Sequence, residues 1–317
     1  MPARAQKFRN WLPHGFDFLT PEEGGRLLKL KEIVRGIFQE AGYQEIVPPT
    51  FDFSRTFLLT DRESNRNSLF QTRDADGENL AVRSDLTVQA IKAAANGRLG
   101  PDFPKRISYV QPVFQDRSWG TGGSREITQA GIEIIGADGV ARFQEILEIA
   151  RKLLGTLIEK QARFLYGDVR FLNLLFERAP RPFRAELSEA FHNKDTERIG
   201  GLCDRAGING KLRDIFMKTP LTFGGLDALH KLQDLCSGEE DLLGVLGDAR
   251  EQENVVYDFS LVRELSYYTG PVFEAYVPGK KERALSGGIY DELYGEFAEE
   301  KRAACGFAVN LSLFIQD

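Results

Sequence analysis

Three stretches of the 317-residue sequence set polar side chains where a packed strand would carry apolar ones. In Arg125–Gly136 (REITQAGIEIIG), Gln129 and Glu133 stand four apart with Gly131 between them. On an extended strand all three share one face, a shallow floor with an amide at one side and a carboxylate at the other. That arrangement suits a small zwitterion brought close to the sheet; the ordinary alternative is a strand with one face in solvent. In Ser260–Glu274, Arg263, Tyr267 and Tyr268 precede a Thr-Gly-Pro turn and a Val-Phe strand. Arginine forks onto a carboxylate, and tyrosine supplies an aromatic wall with a hydroxyl. Adjacent tyrosines on a strand point opposite ways, which predicts that one of the two faces a pocket. In Ser286–Leu293 (SGGIYDEL), Gly287 and Gly288 permit either a tight turn or a close approach of backbone to ligand.

No nucleophile accompanies these groups. The sequence has no Walker loop, dinucleotide-type glycine fingerprint, GxSxG elbow, HExxH pair or CxxC pair. Cys203, Cys236 and Cys305, like His14, His192 and His230, are too scattered for a disulfide framework or a zinc site. Neither metal nor cofactor is therefore expected, and the polar residues read as a binding pocket.

The elements that position these residues follow from periodicity. Thr20–Gly42 predicts a helix: Thr20 and Glu23 form a capping box, Pro21 suits the first turn, and Leu27, Leu30, Val34, Ile37, Phe38 and Ala41 recur at helical spacing. Tyr43–Val47 is an extended run ended by Pro48 and Pro49. Glu78–Val82 reads as a strand and Asp85–Asn96 as a helix. Arg106–Gln115 and Glu126–Gly136 read as an antiparallel pair joined by a long tip that includes the glycine-rich Trp119–Ser124. A helix over Gly139–Lys160 precedes a strand (FLYGDV) and a run of helices to about residue 250, after which short strands return. This order is α+β and not the alternation of a doubly wound fold.

The formal net charge of −6 disfavours a partner such as tRNA. No apolar run reaches membrane-spanning length, and the opening MPARAQKFRNWLPHG lacks the apolar core of a secretory signal, so a cytoplasmic protein is expected.

Taken in order, these segments resemble the catalytic domain of histidyl-tRNA synthetases. Leu12–Pro21 (LPHGFDFLTP) is similar to that family's opening, and Gly42–Thr50 (GYQEIVPPT) to class II motif 1. Leu80–Thr87 (LAVRSDLT) is similar to LRPEGT, and Tyr109–Gly136 to motif 2 and its following strand. Leu261–Glu274 (LVRELSYYTGPVFE) is similar to the histidine signature LVRGLDYY…VFE, and Gly306–Phe314 (GFAVNLSLF) to motif 3. The resemblance implies an antiparallel class II aminoacyl-tRNA synthetase-like sheet of six or seven strands flanked by helices. It implies one catalytic-type domain over 1–317, with a core of 1–160 and 252–317 and a mostly helical middle segment 161–251; the anticodon-binding domain into which the synthetases continue after motif 3 is not expected here.

The departures from the pattern carry the functional reading. Where motif 2 has Phe-Arg-x-Glu, whose Arg grips the α-phosphate of ATP, the sequence reads Phe114-Gln115-Asp116-Arg117. Where motif 3 has Gly-Leu-Glu-Arg-Leu, it reads Asn310-Leu311-Ser312-Leu313-Phe314, so Leu313 replaces the Arg at the γ-phosphate. Gln115, Arg117 and Leu313 thus mark a degenerate ATP site. On the histidine side, the resemblance implies that Asp85 (Glu in synthetases) and Thr87 hold the ligand's ammonium. Gln129 would touch its backbone, Arg263 its carboxylate, and Glu133 with Tyr268 its imidazole. Tyr267, Gly287 and Gly288 are counted in the same pocket. Glu264, Ser266 and Ile289 depart from the pattern's Gly, Asp and Arg.

A kept histidine pocket beside a lost ATP grip resembles the regulatory-subunit family of ATP phosphoribosyltransferase. That resemblance implies a non-catalytic homodimer within a hetero-oligomer, joined through Tyr43–Phe53 and paired with a short-form catalytic subunit. It also implies that L-histidine is the feedback ligand and that Trp119–Ser124 closes over it. The alternatives are a stand-alone histidyl-tRNA synthetase-like amino-acid ligase and a tRNA-binding or scaffolding module without a ligand.

Overall fold

Thr20 Oγ1 accepts a hydrogen bond from the Glu23 amide at 3.2 Å, and the Glu23 carboxylate accepts from the Thr20 amide at 2.8 Å. The expected capping box therefore starts α1 (Pro21–Glu40), and Gly42 follows it at φ +84°, a conformation that costs a glycine little. The computed structural model describes residues 12–58, 69–116, 124–137, 140–158, 162–249, 255–261 and 267–315.

After α1 come β1 (Gln44–Glu45), β2 (Phe51–Phe53), α2 (Ser54–Leu58), β3 (Gln71–Arg73), β4 (Asn79–Val82) and α3 (Thr87–Ala95). The hairpin β5 (Lys105–Phe114) and β6 (Glu126–Ile135) leads to α4 (Val140–Leu157) and β7 (Arg163–Asp168). Then follow α5 (Val169–Glu177), α6 (Arg184–His192), α7 (Thr196–Arg205), α8 (Gly210–Lys218), β8 (Phe223–Gly224), α9 (Leu226–Leu235) and α10 (Glu240–Asp248). The last strands are β9 (Val255–Asp258), β10 (Pro271–Tyr276), β11 (Leu285–Ile289) and β12 (Ala304–Asn310), ending in a 3-10 turn at Leu311–Phe314.

Among the described residues the main sheet has nine strands, ordered β1-β5-β6-β12-β11-β10-β7-β9-β8. The run from β5 to β7 is antiparallel throughout, six strands as the resemblance implies. The extra strands sit at the margins, where β1 joins β5 and β9 joins β7 in parallel, and β8 caps the far edge. Short β2, β4 and β3 form a separate antiparallel sheet.

Helices α1 and α4 cover one face of the main sheet. Val34, Ile37 and Phe38 join Phe143, Ile146, Leu147 and Leu153 over Ala130, Ile132, Ile134, Phe273 and Phe307. The same apolar cluster continues into the helical segment through Phe171, Phe191, Phe216 and Leu246. On the opposite face, Ala90, Ile91 and Ala94 of α3 pack over Ile107, Tyr109, Ile127, Ile135 and Val272.

Phe273 lies where these layers meet, 1% exposed and in ring contact with Phe143, Phe164 and Phe307. Phe273→Ala is expected to cost about 3–5 kcal/mol, against about 1 kcal/mol for Thr20→Ala at the cap. Urea unfolding midpoints check both, and a Phe273→Ala loss no larger than the cap mutant's would contradict this packing.

Candidate functional site

Side chains of β6 alternate. Ala130, Ile132 and Ile134 enter the core under α1 and α4, whereas Ile127, Gln129, Gly131, Glu133 and Ile135 lie on the other face. Glu133 has no exposed surface. The Tyr109 hydroxyl donates to its Oε1 at 2.8 Å, and the Tyr290 hydroxyl donates to its Oε2. Thr87 Oγ1 lies 3.1 Å from the Tyr109 hydroxyl and extends the chain of hydroxyls. Burial pushes the Glu133 carboxyl well above the ordinary carboxylate range. The Thr87 and Tyr109 hydroxyls pull it down, and the charge of Asp85 adds to the rise. Burial likewise raises the Tyr109 and Tyr267 hydroxyls.

The sheet's register shows why this face carries glycines. Gly131 stands opposite Tyr109, and a Cβ there would lie 2.5 Å from the Tyr109 hydroxyl. Gly306 of β12 stands opposite Glu133, and a Cβ there would overlap the Glu133 carboxyl and the Tyr290 hydroxyl. One strand further, a Cβ on Gly288 would lie 2.8 Å from both the Tyr268 ring and the Pro271 carbonyl. These glycines let a carboxyl and several rings share one pleated surface. Gly287 and Gly288 sit within β11 and not in a turn. The open side of Gly287 meets Phe307 and Phe273 of the core, so Gly288 is the member of the pair beside the tyrosines.

Tyr267 and Tyr268 depart from expectation. They are not on a strand: β10 begins at Pro271, and the two rings lie together, 4.8 Å between centroids. Tyr290 meets Tyr267 edge-on at 5.4 Å and Tyr268 at 6.1 Å, so three tyrosines form one wall. A latch holds this turn. The Thr269 amide donates to the Ile289 carbonyl at 2.8 Å, and the Asp291 amide donates to Thr269 Oγ1 at 2.9 Å. Asp291 in turn accepts from Arg142 at 2.8 Å and from the Ala304 amide at 2.9 Å.

Asp85 and Thr87 stand at and just before the start of α3, after a buried arginine. Arg83 donates to the Pro112 carbonyl at 2.6 Å and the Pro48 carbonyl at 2.8 Å, and Asp85 Oδ1 accepts from the Val88 amide at 3.2 Å. Gln129 lies opposite Gln111 on one side and Asn310 on the other. Its Oε1 is buried and has no hydrogen-bond partner among the described residues. The structure therefore gathers Thr87, Tyr267, Tyr268 and Gly288 around the Glu133 carboxyl, with Asp85 close enough to affect its ionisation and Gln129 further along β6. Arg263, Arg117, Glu264 and Ser266 lie outside the described residues, as does 119–123 of the expected closing tip.

At the positions of the synthetase ATP motifs, the Gln115 amide donates to the Arg125 carbonyl at 2.9 Å, and Asp116 pairs with Arg125 at 3.1 Å. Leu313 packs against the main apolar core. Ser312 Oγ, where the motif has Glu, accepts from the Thr128 amide at 2.9 Å. Tyr109, Tyr290 and Gly306 are site residues that the sequence alone does not single out. Alternation on β5 opposite the polar positions of β6 signals Tyr109. Tyr290 stands in the SGGIYDEL segment already singled out, and nothing local in the sequence shows that Gly306 faces Glu133.

A family model described as histidyl-tRNA synthetase matches residues 15–313. A protein of Thermoanaerobacter pseudethanolicus named ATP phosphoribosyltransferase regulatory subunit is 32% identical over 316 residues, covering 95% of this chain and 81% of the relative. The chain belongs to the histidyl-tRNA synthetase-like family of ATP phosphoribosyltransferase regulatory subunits. A Leptospira interrogans protein (serovar Lai) of the same name is 30% identical over 330 residues, covering 98% of this chain and 94% of its own. The fold is shared with a crystal structure from Bacillus halodurans C titled as an ATP phosphoribosyltransferase regulatory subunit/histidyl-tRNA synthetase. It has a TM-score of 0.83 at 22% identity, covering 98% of this chain and 83% of that one. The class II synthetase-like fold expected from the sequence is thus the one observed.

The ionisation of Glu133 has a measurable consequence for stability. Its folded value is raised above the ordinary 4.5, so the stability gained by keeping it protonated is complete below that value and is lost as pH rises toward the folded value. Glu133→Gln removes this dependence. Between pH 6 and pH 8 the wild type should lose stability relative to Glu133→Gln by up to about 1.4 kcal/mol per pH unit. Parallel urea titrations at the two pH values read the difference, and an unchanged gap would contradict a buried neutral carboxyl.

Proposed function

We propose that the protein is the non-catalytic regulatory subunit of an ATP phosphoribosyltransferase in histidine biosynthesis, binding L-histidine at the Glu133 pocket for feedback control. It works in the cytoplasm with a short-form catalytic subunit, which it also activates, and does not act on tRNA. The observation that carries this reading is the fully buried Glu133, held by Tyr109 and Tyr290, beside ATP-motif positions occupied by Gln115 and Leu313. A carboxyl beside a wall of tyrosine rings matches an imidazole, and Asp85 with Thr87 provides for an ammonium. Gln129, whose Oε1 has no partner among the described residues, is assigned to the ligand's backbone, and Arg263 to its carboxylate. Adenylation depends on fixed positive charge around the transferring group, where one donor is worth several kcal/mol. Leu313, packed into the core, supplies none. The homodimer is assigned to Tyr43–Phe53, where Val47 is 73% and Phe51 49% exposed.

Calorimetry with L-histidine tests the reading. A feedback ligand is expected to bind in the micromolar-to-submillimolar range, about −5 to −8 kcal/mol. Glu133→Gln is expected to weaken binding by about 2–3 kcal/mol. Equal affinity in the variant would remove the imidazole assignment, and histidine-dependent ATP–pyrophosphate exchange would instead support an amino-acid ligase.

A further inference from the structure

Glu133 is unusual in how its charge is handled. The groups facing it come from several elements: Tyr109 on β5, Thr87 at the start of α3, Tyr290 after β11, and Tyr267 and Tyr268 on the turn before β10. Asp85 ahead of α3 adds a second acid, and Cys305 of β12 is also within electrostatic range. Arg142 on α4 acts on Cys305 but is paired with Asp291. Among the described residues, the hydrogen-bond partners of Glu133 are all neutral hydroxyls. A carboxylate enclosed this way, with a like charge nearby, is unfavourable, and taking up a proton relieves it. Hydroxyls accept as well as donate, so the Tyr109–Thr87 chain serves a protonated carboxyl as well as an ionised one.

We propose that Glu133 stores a proton in the ligand-free protein and passes it to the ring of the entering ligand, so that the site selects an amino acid whose side chain can accept a proton. This rests on the histidine reading and adds the chemical property for which the ring is chosen. In the step, the Oε–H bond of Glu133 breaks and a ring N–H bond forms. The carboxyl becomes a carboxylate and the neutral ring a cation, with no other reactant. The resulting charge-assisted bond is about twice as strong as a neutral one. A ring that cannot take the proton leaves Glu133 neutral and forgoes that gain. Selection by proton acceptance excludes phenyl and thienyl side chains of similar size, which shape alone separates poorly.

Two measurements test this on the full chain. The difference infrared spectrum at pH 7 between wild type and Glu133→Gln should contain a carboxylic-acid carbonyl band, and that band should vanish when L-histidine is added to the wild type. The second needs no variant. Ring-15N-labelled histidine bound at pH 8 should be protonated on both nitrogens, although the free ring, with a pKa of about 6.5, is neutral there. Triazolylalanine, nearly the same shape but far less basic, should bind at least about tenfold more weakly, the factor expected from about 1.4 kcal/mol of lost charge assistance. A free protein without the acid band, or a bound ring that stays neutral at pH 8, would overturn the proposal. If the band were present but histidine did not bind at all, the stored proton would stand and the histidine reading would fall, so the two failures are distinguishable.

Discussion

A carboxyl with no access to water is held between two tyrosine hydroxyls on the face of an antiparallel sheet, and much of the surrounding structure makes room for it. Glu133 occupies a strand position between Ile127 and Ile135, both buried on the same face, where an apolar residue would be the stable choice. Burying an acid costs several kcal/mol unless hydrogen bonds or a proton relieve it. Tyr109 and Tyr290 supply those bonds from neighbouring elements. Gly131 on the same strand and Gly306 on the adjoining β12 leave out Cβ atoms that would collide with the cluster. The Thr269–Asp291–Arg142 latch fixes the turn that brings Tyr267 and Tyr268 against Tyr290. Each of these residues is locally unremarkable, and together they keep a reactive acid in a fixed place.

The same sheet carries a second region, at the positions that resemble the synthetase ATP motifs. Of the two positions where the synthetase pattern sets cations for ATP, one is Gln115 and the other is Leu313, which joins the core; beside them Ser312 ties down the Thr128 amide and Asp116 is matched by Arg125. These contacts suit packing and loop anchoring, and they sit on the strands that bear the pocket. In the proposed role this division is the point. A subunit that recognises a ligand without spending ATP acts only through coupling, by preferring one arrangement of a partner when the pocket is filled. Such coupling is typically worth about 1–3 kcal/mol and is reciprocal, so the partner's substrates shift histidine affinity by the factor that histidine shifts theirs.

Much of the fold was legible in the sequence because its signals are local. The capping box at Thr20 and Glu23, the periodic apolar residues of α1 and the alternation of β6 each imply their element directly. The marginal strands were harder, since β1 and β8 are two residues long and pair only because the sheet edge is there. Within the site, the four-residue spacing of Gln129 and Glu133 placed both on one face. The tyrosine pair escapes strand alternation because its segment lies ahead of β10, where the two rings lie together. Tyr109, Tyr290 and Gly306 reach Glu133 through register across three strands, and register is set by the whole sheet, not by any one segment.

The central claim is that histidine control runs through this pocket. The most direct measurement is the activity of a short-form ATP phosphoribosyltransferase reconstituted with this subunit across a histidine titration, using wild type and Glu133→Gln. Both subunits are expected to assemble with and activate the catalytic partner, and the variant's inhibition curve to move to much higher histidine. Superimposable inhibition curves would contradict the central claim.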